Sequence, residues 1–309
     1  MDTSARTMAG NDLLHRFRLE HAGIRGAFVR LERSWQDLRS NGDYRGGLGQ
    51  LLGQSLAASA LFASTIKFDG RLSLQLQGSG NLRLLFAECT HDGCLRGIAR
   101  WNGTPPTTPI RLEPEARLAI TIENRIADTR YQGTVPVDDG DLAQAFEHYF
   151  ERSEQLPTRI VLAEANGCCG GLMLQQIARE GGAGIADAHG YAGAADEDGW
   201  NRTGHLLATL SKPELLELAP EDLLLRLFHE EGVRLQPAQP LQFACTCSRE
   251  RVEAMLRSHG RQENEETLRE QGSVEVHCEF CNRRYVLDAD EIGALFGPDD
   301  EAAPSSTRH

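Results

Sequence analysis

Four cysteines stand in two tight pairs, Cys245-Thr246-Cys247 and Cys278-Glu279-Phe280-Cys281, with thirty residues between the pairs. Each pair can turn two sulfurs toward a common point. Two such pairs make the four-thiolate tetrahedron that Zn²⁺ adopts in closed structural sites. With four sulfurs in place no position is left for a water, so metal-assisted hydrolysis is not expected. The same sulfurs are the most oxidisable atoms in the chain. Spacing alone leaves three readings open: a static zinc staple, a redox switch, and metal-free thiols.

The section that holds these cysteines, Leu241 to Phe296, has few large apolar side chains. A domain of that size is marginal without a staple. Structural zinc contributes an apparent ~10–16 kcal/mol in small zinc modules, so the metal would be its main source of stability. Oxidation is expected to join Cys245 to Cys247 and Cys278 to Cys281, because those sulfurs are adjacent along the chain. Such bridges close small rings, constrain the unfolded chain little, and no longer connect the two halves of the site. The section should then unfold, and the leucine-rich stretch before it should follow. That would uncover apolar surface, and a large exposed apolar patch is a binding site.

The elements around the site point to an α+β fold: an N-terminal mixed-sheet domain with helices, a helical linker and a small four-cysteine domain. The expected boundaries are 13–180 for the N-terminal core, 181–240 for a flexible and helical linker, 241–296 for the zinc-binding section and 297–309 for a frayed tail. In the core, Ser34 to Arg39 reads as a short helix and Arg45 to Lys67 as a long one, apolar almost all round. Gly49 and Gly53 on it would permit close backbone approach. Strands are expected at 71–77, 81–87, 95–101, 117–122, 131–137, 158–163 and 172–177, with a helix from Asp139 or Gly140 to Arg152. Runs of strands with few crossover helices argue for α+β over a doubly wound sheet. Gly181 to Gly199 reads as a connector rich in Gly, Ala and Asp. After it, Ser211-Lys-Pro-Glu214 is a capping box, Pro220 suits a first helical turn and Gly232 a helix stop. Ser248 to His259 and Gln262 to Gln271 are helix candidates between the cysteine pairs.

Composition narrows the function classes. The 309-residue chain carries a formal charge of −13, which repels phosphate backbones. Between Cys245 and Tyr285 there are seven arginines, no lysine and eight glutamates, against the basic surplus that a nucleic-acid module needs. The most apolar stretch, Leu48 to Ile66, is interrupted by glycine, glutamine, serine and threonine, so no membrane span is expected. The first residues lack a secretory pattern, which points to the reducing cytoplasm, where paired cysteines bind metal or do redox chemistry. No phosphate-binding loop and no catalytic constellation emerges, so no enzyme activity is expected. A thiol-disulfide oxidoreductase is the rival there, but Cys278-Glu-Phe-Cys281 lacks a convincing βαβ surround. Four further cysteines have bland readings. Cys89 and Cys94 flank a turn at Thr90-His-Asp-Gly93 and could face each other, with His91 nearby as a weak metal ligand. Cys168 and Cys169 read as small packed side chains.

At Phe243-Ala-Cys-Thr-Cys-Ser-Arg-Glu-Arg251 and His277-Cys-Glu-Phe-Cys281 the sequence resembles the heat shock protein 33 family, redox-regulated holdase chaperones of the bacterial cytosol. Lys67-Phe-Asp-Gly70, Leu74-Gln-Leu-Gln-Gly78, Tyr131-Gln-Gly133, Tyr149-Phe-Glu-Arg-Ser-Glu-Gln-Leu-Pro-Thr158 and Gly170-Gly171 resemble its N-terminal domain. The likeness runs from about Phe17 to about Phe296 and makes the switch the leading reading. It implies a reduced, zinc-bound, inactive monomer with Cys245, Cys247, Cys278 and Cys281 as ligands and redox centre. Oxidation would convert them to Cys245–Cys247 and Cys278–Cys281, expel zinc, unfold the linker and allow homodimerisation. ATP-independent binding of unfolding client proteins would follow. The four additional cysteines depart from the family's usual pattern.

Overall fold

The structure, a computed structural model, describes residues 12–66, 69–77, 80–113, 115–137, 141–177 and 197–296. The chain forms two compact units, the first ending at Ala244 and the second beginning at Cys245.

In the first unit the order is β1 (Leu13–Leu19), β2 (Ile24–Leu31), α1 (Arg33–Arg39), α2 (Gly46–Ala63), β3 (Gly70–Gln77), β4 (Leu82–Thr90), β5 (Cys94–Trp101), β6 (Arg117–Asn124) and β7 (Thr129–Pro136). Then come α3 (Leu142–Tyr149), β8 (Thr158–Ala165), β9 (Cys168–Gln176), α4 (Glu197–Ala208), α5 (Lys212–Glu217), α6 (Pro220–Phe228), β10 (Val233–Leu235), β11 (Gln239–Pro240) and β12 (Gln242–Phe243). The strands make two sheets. The first runs β10-β1-β2-β9-β8 with β11 also on β1, and the second runs β12-β5-β4-β3-β6-β7. Every pairing is antiparallel except that of β12 with β5.

Helix α2 is buried on several sides because it lies between the two sheets. Leu52, Leu56, Leu61 and Phe62 share one core with Val29, Leu162 and Met173 of the first sheet and Leu74, Leu85 and Leu118 of the second. The two glycines permit the close approach. A Cβ on Gly49 would lie 2.4 Å from the Tyr44 carbonyl oxygen, and one on Gly53 would lie 2.8 Å from the Glu164 side chain. Strand β3 alternates buried and half-buried residues, as its sequence predicts.

Several expected boundaries move. Helix α2 ends at Ala63 rather than Lys67, where the hydroxyls of Ser64 and Thr65 turn back on the Leu61 and Phe62 carbonyls. Helix α3 starts at Leu142 because Asp141 is its N-cap, accepting from Ala143 N–H at 2.8 Å. Its last turn widens over Phe150–Glu154. Strands β1 and β2 were not among the strand candidates. The expected connector falls largely, and the expected tail wholly, outside the described residues.

On the far face of the first sheet lie α4, α5 and α6. The capping box forms, with Ser211 accepting from Glu214 N–H and Glu214 accepting from Ser211 N–H. Pro220 opens α6 and Gly232 follows it with φ +67°. These helices bury Leu207, Leu215, Leu223, Leu224, Leu227 and Phe228 against Phe17, Leu19, Ile24, Phe28, Leu172 and Leu174. At six and nine residues, α5 and α6 are too short to persist alone. The chain then adds β10 to β12, so the first unit extends past residue 240 to Ala244, whose N–H donates to the Leu95 carbonyl at 2.9 Å.

The second unit comprises α7 (Arg249–His259), α8 (Arg261–Gln271), β13 (Val274–His277), β14 (Arg284–Leu287) and α9 (Ala289–Leu295). Its core is small: Val252, Leu256, Val274, Tyr285, Leu287 and Ile292. Buried Asn264 joins α7 to α8 by donating to the Leu256 and Gly260 carbonyls. The two predicted helices of this region are both present, each within a residue of its expected ends.

Candidate metal centre

Two local devices bring the sulfurs together. The hairpin β13–β14 turns through Cys278-Glu-Phe-Cys281. In that turn Asn282 N–H donates to the Cys278 carbonyl at 2.8 Å and Cys278 N–H to the Arg283 carbonyl at 2.9 Å. Asn282 takes φ +54°, a conformation that asparagine tolerates well. Opposite, Cys245-Thr246-Cys247 leads into α7, with Ser248 as N-cap accepting from Arg251 N–H. Arg251 then donates back to the Thr246 carbonyl at 2.7 Å and fixes the approach of that segment.

All four Sγ atoms lie within 4.8 Å of one another. Cys245 Sγ is 3.6 Å from Cys278 Sγ, and Cys247 Sγ is 3.4 Å from Cys281 Sγ. A tetrahedron with Zn–S bonds of about 2.3 Å has edges of about 3.8 Å, so the cluster has the size such an ion requires. All four thiols are half-buried, accessible to an oxidant. The two shortest sulfur contacts join one pair to the other. Adjacency in the folded site therefore does not single out the within-pair disulfides expected from the sequence.

The environment treats the thiols unequally. Burial pushes Cys245 and Cys281 up. For Cys247 burial acts in the same direction, but hydrogen bonds from the Tyr285 hydroxyl and the neighbouring thiols outweigh it and bring this thiol down to about 7. The Tyr285 hydroxyl donates to Cys247 Sγ at 3.1 Å. The N-terminus of α7, starting two residues after Cys247, adds a favourable dipole for a thiolate there. Tyr285 was not singled out from the sequence. The period-two pattern of β14, which turns Tyr285 and Leu287 inward, is the signal that could have found it.

The other cysteines stay apart from this cluster. The Thr90–Gly93 turn is present, but Cys89 does not face Cys94. Cys89 is opposite Leu95 in the core, whereas Cys94 points the other way, its Sγ 3.8 Å from Asp92 and from Gln242. His91 is 3.5 Å from Asp69. Burial raises the Cys89 and Cys169 thiols, and it pushes Cys168 up to about 11. Among the described residues, the four C-terminal cysteines are the one group placed to hold a metal ion.

The chain is similar over most of its length to known proteins. The family described as Hsp33 protein matches residues 12–288. A 33 kDa chaperonin of Hahella chejuensis is 44% identical over 287 residues, covering 92% of this chain and 97% of the relative. One of Chromobacterium violaceum is 40% identical over 305 residues, covering 98% and 99%. The crystal structure of a 33 kDa chaperonin (heat shock protein 33 homolog) from Thermotoga maritima superposes with a TM-score of 0.76 at 21% identity, covering 93% of this chain and 98% of that one. That likeness establishes the fold, and the family match over nearly the whole sequence establishes descent: the chain belongs to the Hsp33 family.

Proposed function

We propose that the chain is a redox-gated, ATP-independent chaperone of the cytoplasm that holds unfolding proteins and prevents their aggregation. The observation that carries the reading is the apolar face of the first sheet lying beneath three helices that cannot stand without it. Phe17, Phe28, Leu172 and Leu174 are 1% exposed or less with the helices in place. Moving α4–α6 away would present a contiguous apolar surface suited to non-native polypeptides.

Cys245, Cys247, Cys278 and Cys281 would hold one Zn²⁺ in the reduced chain. Bound there, the ion supplies a four-point cross-link between the Cys245–Cys247 segment and the β13–β14 hairpin. Oxidation would form two S–S bonds, each from two thiolates that give up two electrons to peroxide or hypochlorite. The oxidant takes up protons from solvent and becomes water, or water and chloride, and the Zn²⁺, left without its thiolate ligands, would be released. Once the ligand set breaks, short loops close at least entropic cost, which favours Cys245–Cys247 and Cys278–Cys281 despite the shorter cross-pair contacts. Those bridges leave the two segments unconnected. Unfolding of 245–296 and release of α4–α6 would follow, with homodimerisation of the exposed form. Cross-pair bridges would preserve the knot and defeat the gate, so mapping the disulfides by mass spectrometry separates the two cases.

Rival readings have less support. Arginines in the second unit pair with carboxylates: Arg249 with Glu253 and Glu291, Arg257 with Glu253, Arg261 with Glu265, Arg284 with Glu275. That is unlike a face built for phosphates. Cys278–Cys281 lies in a hairpin turn and not at a helix N-terminus, unlike a thioredoxin-type centre. Among the described residues, no helix is long and apolar enough to cross a membrane.

The test treats zinc-loaded protein with hypochlorite, or with peroxide at mild heat, and follows zinc release, far-UV circular dichroism and suppression of citrate synthase aggregation together. Concerted zinc release, loss of helix and aggregation protection are expected. Zinc release without protection would defeat the reading.

A further inference from the structure

The stretch 231–244 is laced along two sheet edges. β10 and β11 pair with β1 at the rim of the first sheet, and β12 pairs with β5 at the rim of the second. The N–H groups of Gln236, Leu241, Gln242 and Ala244 donate to the carbonyls of Arg16, Asp12, Gly93 and Leu95 at 2.8, 2.9, 3.0 and 2.9 Å. Side chains add a period-two apolar pattern. Val233 and Leu235 pack on the cluster beneath α4–α6, and Leu241 and Phe243 on the central core. The hold is short-range: strands of two or three residues, with Pro237 and Pro240 supplying no donor.

The four edges of these two sheets are protected by different means. At β8 the Glu147 carboxylate accepts from the outward Ile160 N–H at 2.8 Å, plugging the edge with a side chain. At β7 the edge carries Arg130 and ends in Pro136, charge and proline being common deterrents to strand addition. The β1 edge and the Cys94–Leu95 end of the β5 edge have as their strand cover, among the described residues, the stretch 231–244. An uncovered edge is a row of donors and acceptors that pairs with any extended chain, and apolar side chains at alternate positions refine the fit.

We infer that the β1 and β5 edges are a strand-addition site for extended segments of unfolding proteins, occupied in the folded chain by 231–244 and vacated with α4–α6. The inference rests on the chaperone reading and specifies how its clients are held. The segment that fits has apolar residues at i and i+2, as at 233/235 and 241/243. Opposite Arg16 it has an acceptor, as Gln239 Oε1 is at 2.9 Å from Arg16 Nη2. Backbone pairing makes the site tolerant of sequence while still requiring an extended, unfolded partner.

The experiment uses the full chain, reduced with zinc or oxidised without it, and a fluorescein-labelled peptide of sequence 233–243. A twin peptide is N-methylated at Gln236, Leu241 and Gln242, which removes three donors and keeps every side chain. Anisotropy gives binding, and hydrogen exchange follows the 231–244 amides over a range of protein concentrations. The parent peptide is expected to bind oxidised chain at least about tenfold more tightly than reduced chain, and at least about tenfold more tightly than its twin does. Equal binding of both peptides, or no binding while 231–244 exchanges freely, would overturn the inference. So would protection of 231–244 at all concentrations, since the edges then never open. Protection that appears only in a concentration-dependent dimer would also overturn it, by assigning the edges to a second copy's own 231–244. Aggregation suppression on the same samples separates the two proposals. Suppression with no methylation-sensitive peptide binding sinks the edge site alone, and its absence sinks the chaperone reading.

Discussion

The two compact units keep their folds by different means. The first has a core that runs through α2 and joins both sheets, so many apolar side chains share the load. The second has, among the described residues, six buried apolar side chains and a cluster of four sulfurs. On the proposed function, a unit with so little core depends on the cross-link that a metal at those sulfurs would supply, whereas the first unit would lose an outer layer and keep its sheets. The difference teaches where a chemical signal can act: on the part whose stability is concentrated in one place. The leucine-rich helices stand between these extremes, buried against the first sheet yet too short to persist without it.

The largest expected effect comes from breaking the cross-link. In Cys278→Ser, or after removal of the metal with a strong chelator under reducing conditions, exchange protection of 245–296 should collapse. Loss of a structural zinc is worth about 10 kcal/mol or more, which exceeds what six buried side chains can offset. Protection in β2 and β9 should remain. Equal loss in both units would erase the contrast.

Next is Leu224→Asp, which places a carboxylate where the native side chain is 0% exposed. Undocking of α6 by about 3 kcal/mol is expected, with increased protease sensitivity near α6 and basal aggregation suppression without oxidant. An unchanged protease pattern and basal activity would remove the covering role of the helix.

A smaller effect concerns His15, whose buried Nδ1 has no hydrogen-bond partner among the described residues. It lies on β1 beside the Phe28 ring, with Glu221 of α6 favouring its charged form and Arg30 of β2 opposing it. Burial dominates and lowers its pKa from 6.5. The neutral ring is thus the form that the docked state accepts. Its contribution is fully present above pH 6.5 and declines as pH falls below that value. Protection factors of α6 amides, corrected for the intrinsic pH dependence of exchange, should fall as pH goes from 7.5 to 5.5, and His15→Phe should flatten that dependence. An unaltered pH profile in His15→Phe would assign the effect to other groups.

The smallest is Tyr285→Phe. Loss of the hydroxyl that bonds Cys247 Sγ should weaken metal retention by about tenfold in a chelator competition, with the fold of the unit kept. No change would make that hydrogen bond incidental.

The parts legible in the sequence are those written in local chemistry. The cysteine spacing, the Ser211 capping box, Pro220 and the two helices between the cysteine pairs are each set by neighbours a few residues away. What escaped depends on distant partners. Strands of two and three residues at 233–243 are too short for their alternation to announce them and exist because β1 and β5 present open edges. Asp12 accepts from the N–H groups of Glu32, Arg33 and Ser34, a helix cap reaching across twenty residues that no local pattern announces. The α2 pattern revealed burial on several sides but could not reveal that two sheets supply it. At the candidate metal centre the clustering of the four cysteines was legible and the Tyr285 hydroxyl was not, because its place follows from a fold around the sulfurs.

The most direct measurement is residue-level hydrogen exchange on oxidised, metal-free protein whose disulfides have been mapped as Cys245–Cys247 and Cys278–Cys281. The account predicts lost protection throughout 245–296 and across α4–α6, with β2, β3 and β9 still protected. A C-terminal unit that keeps its protection with those two bridges in place would contradict it.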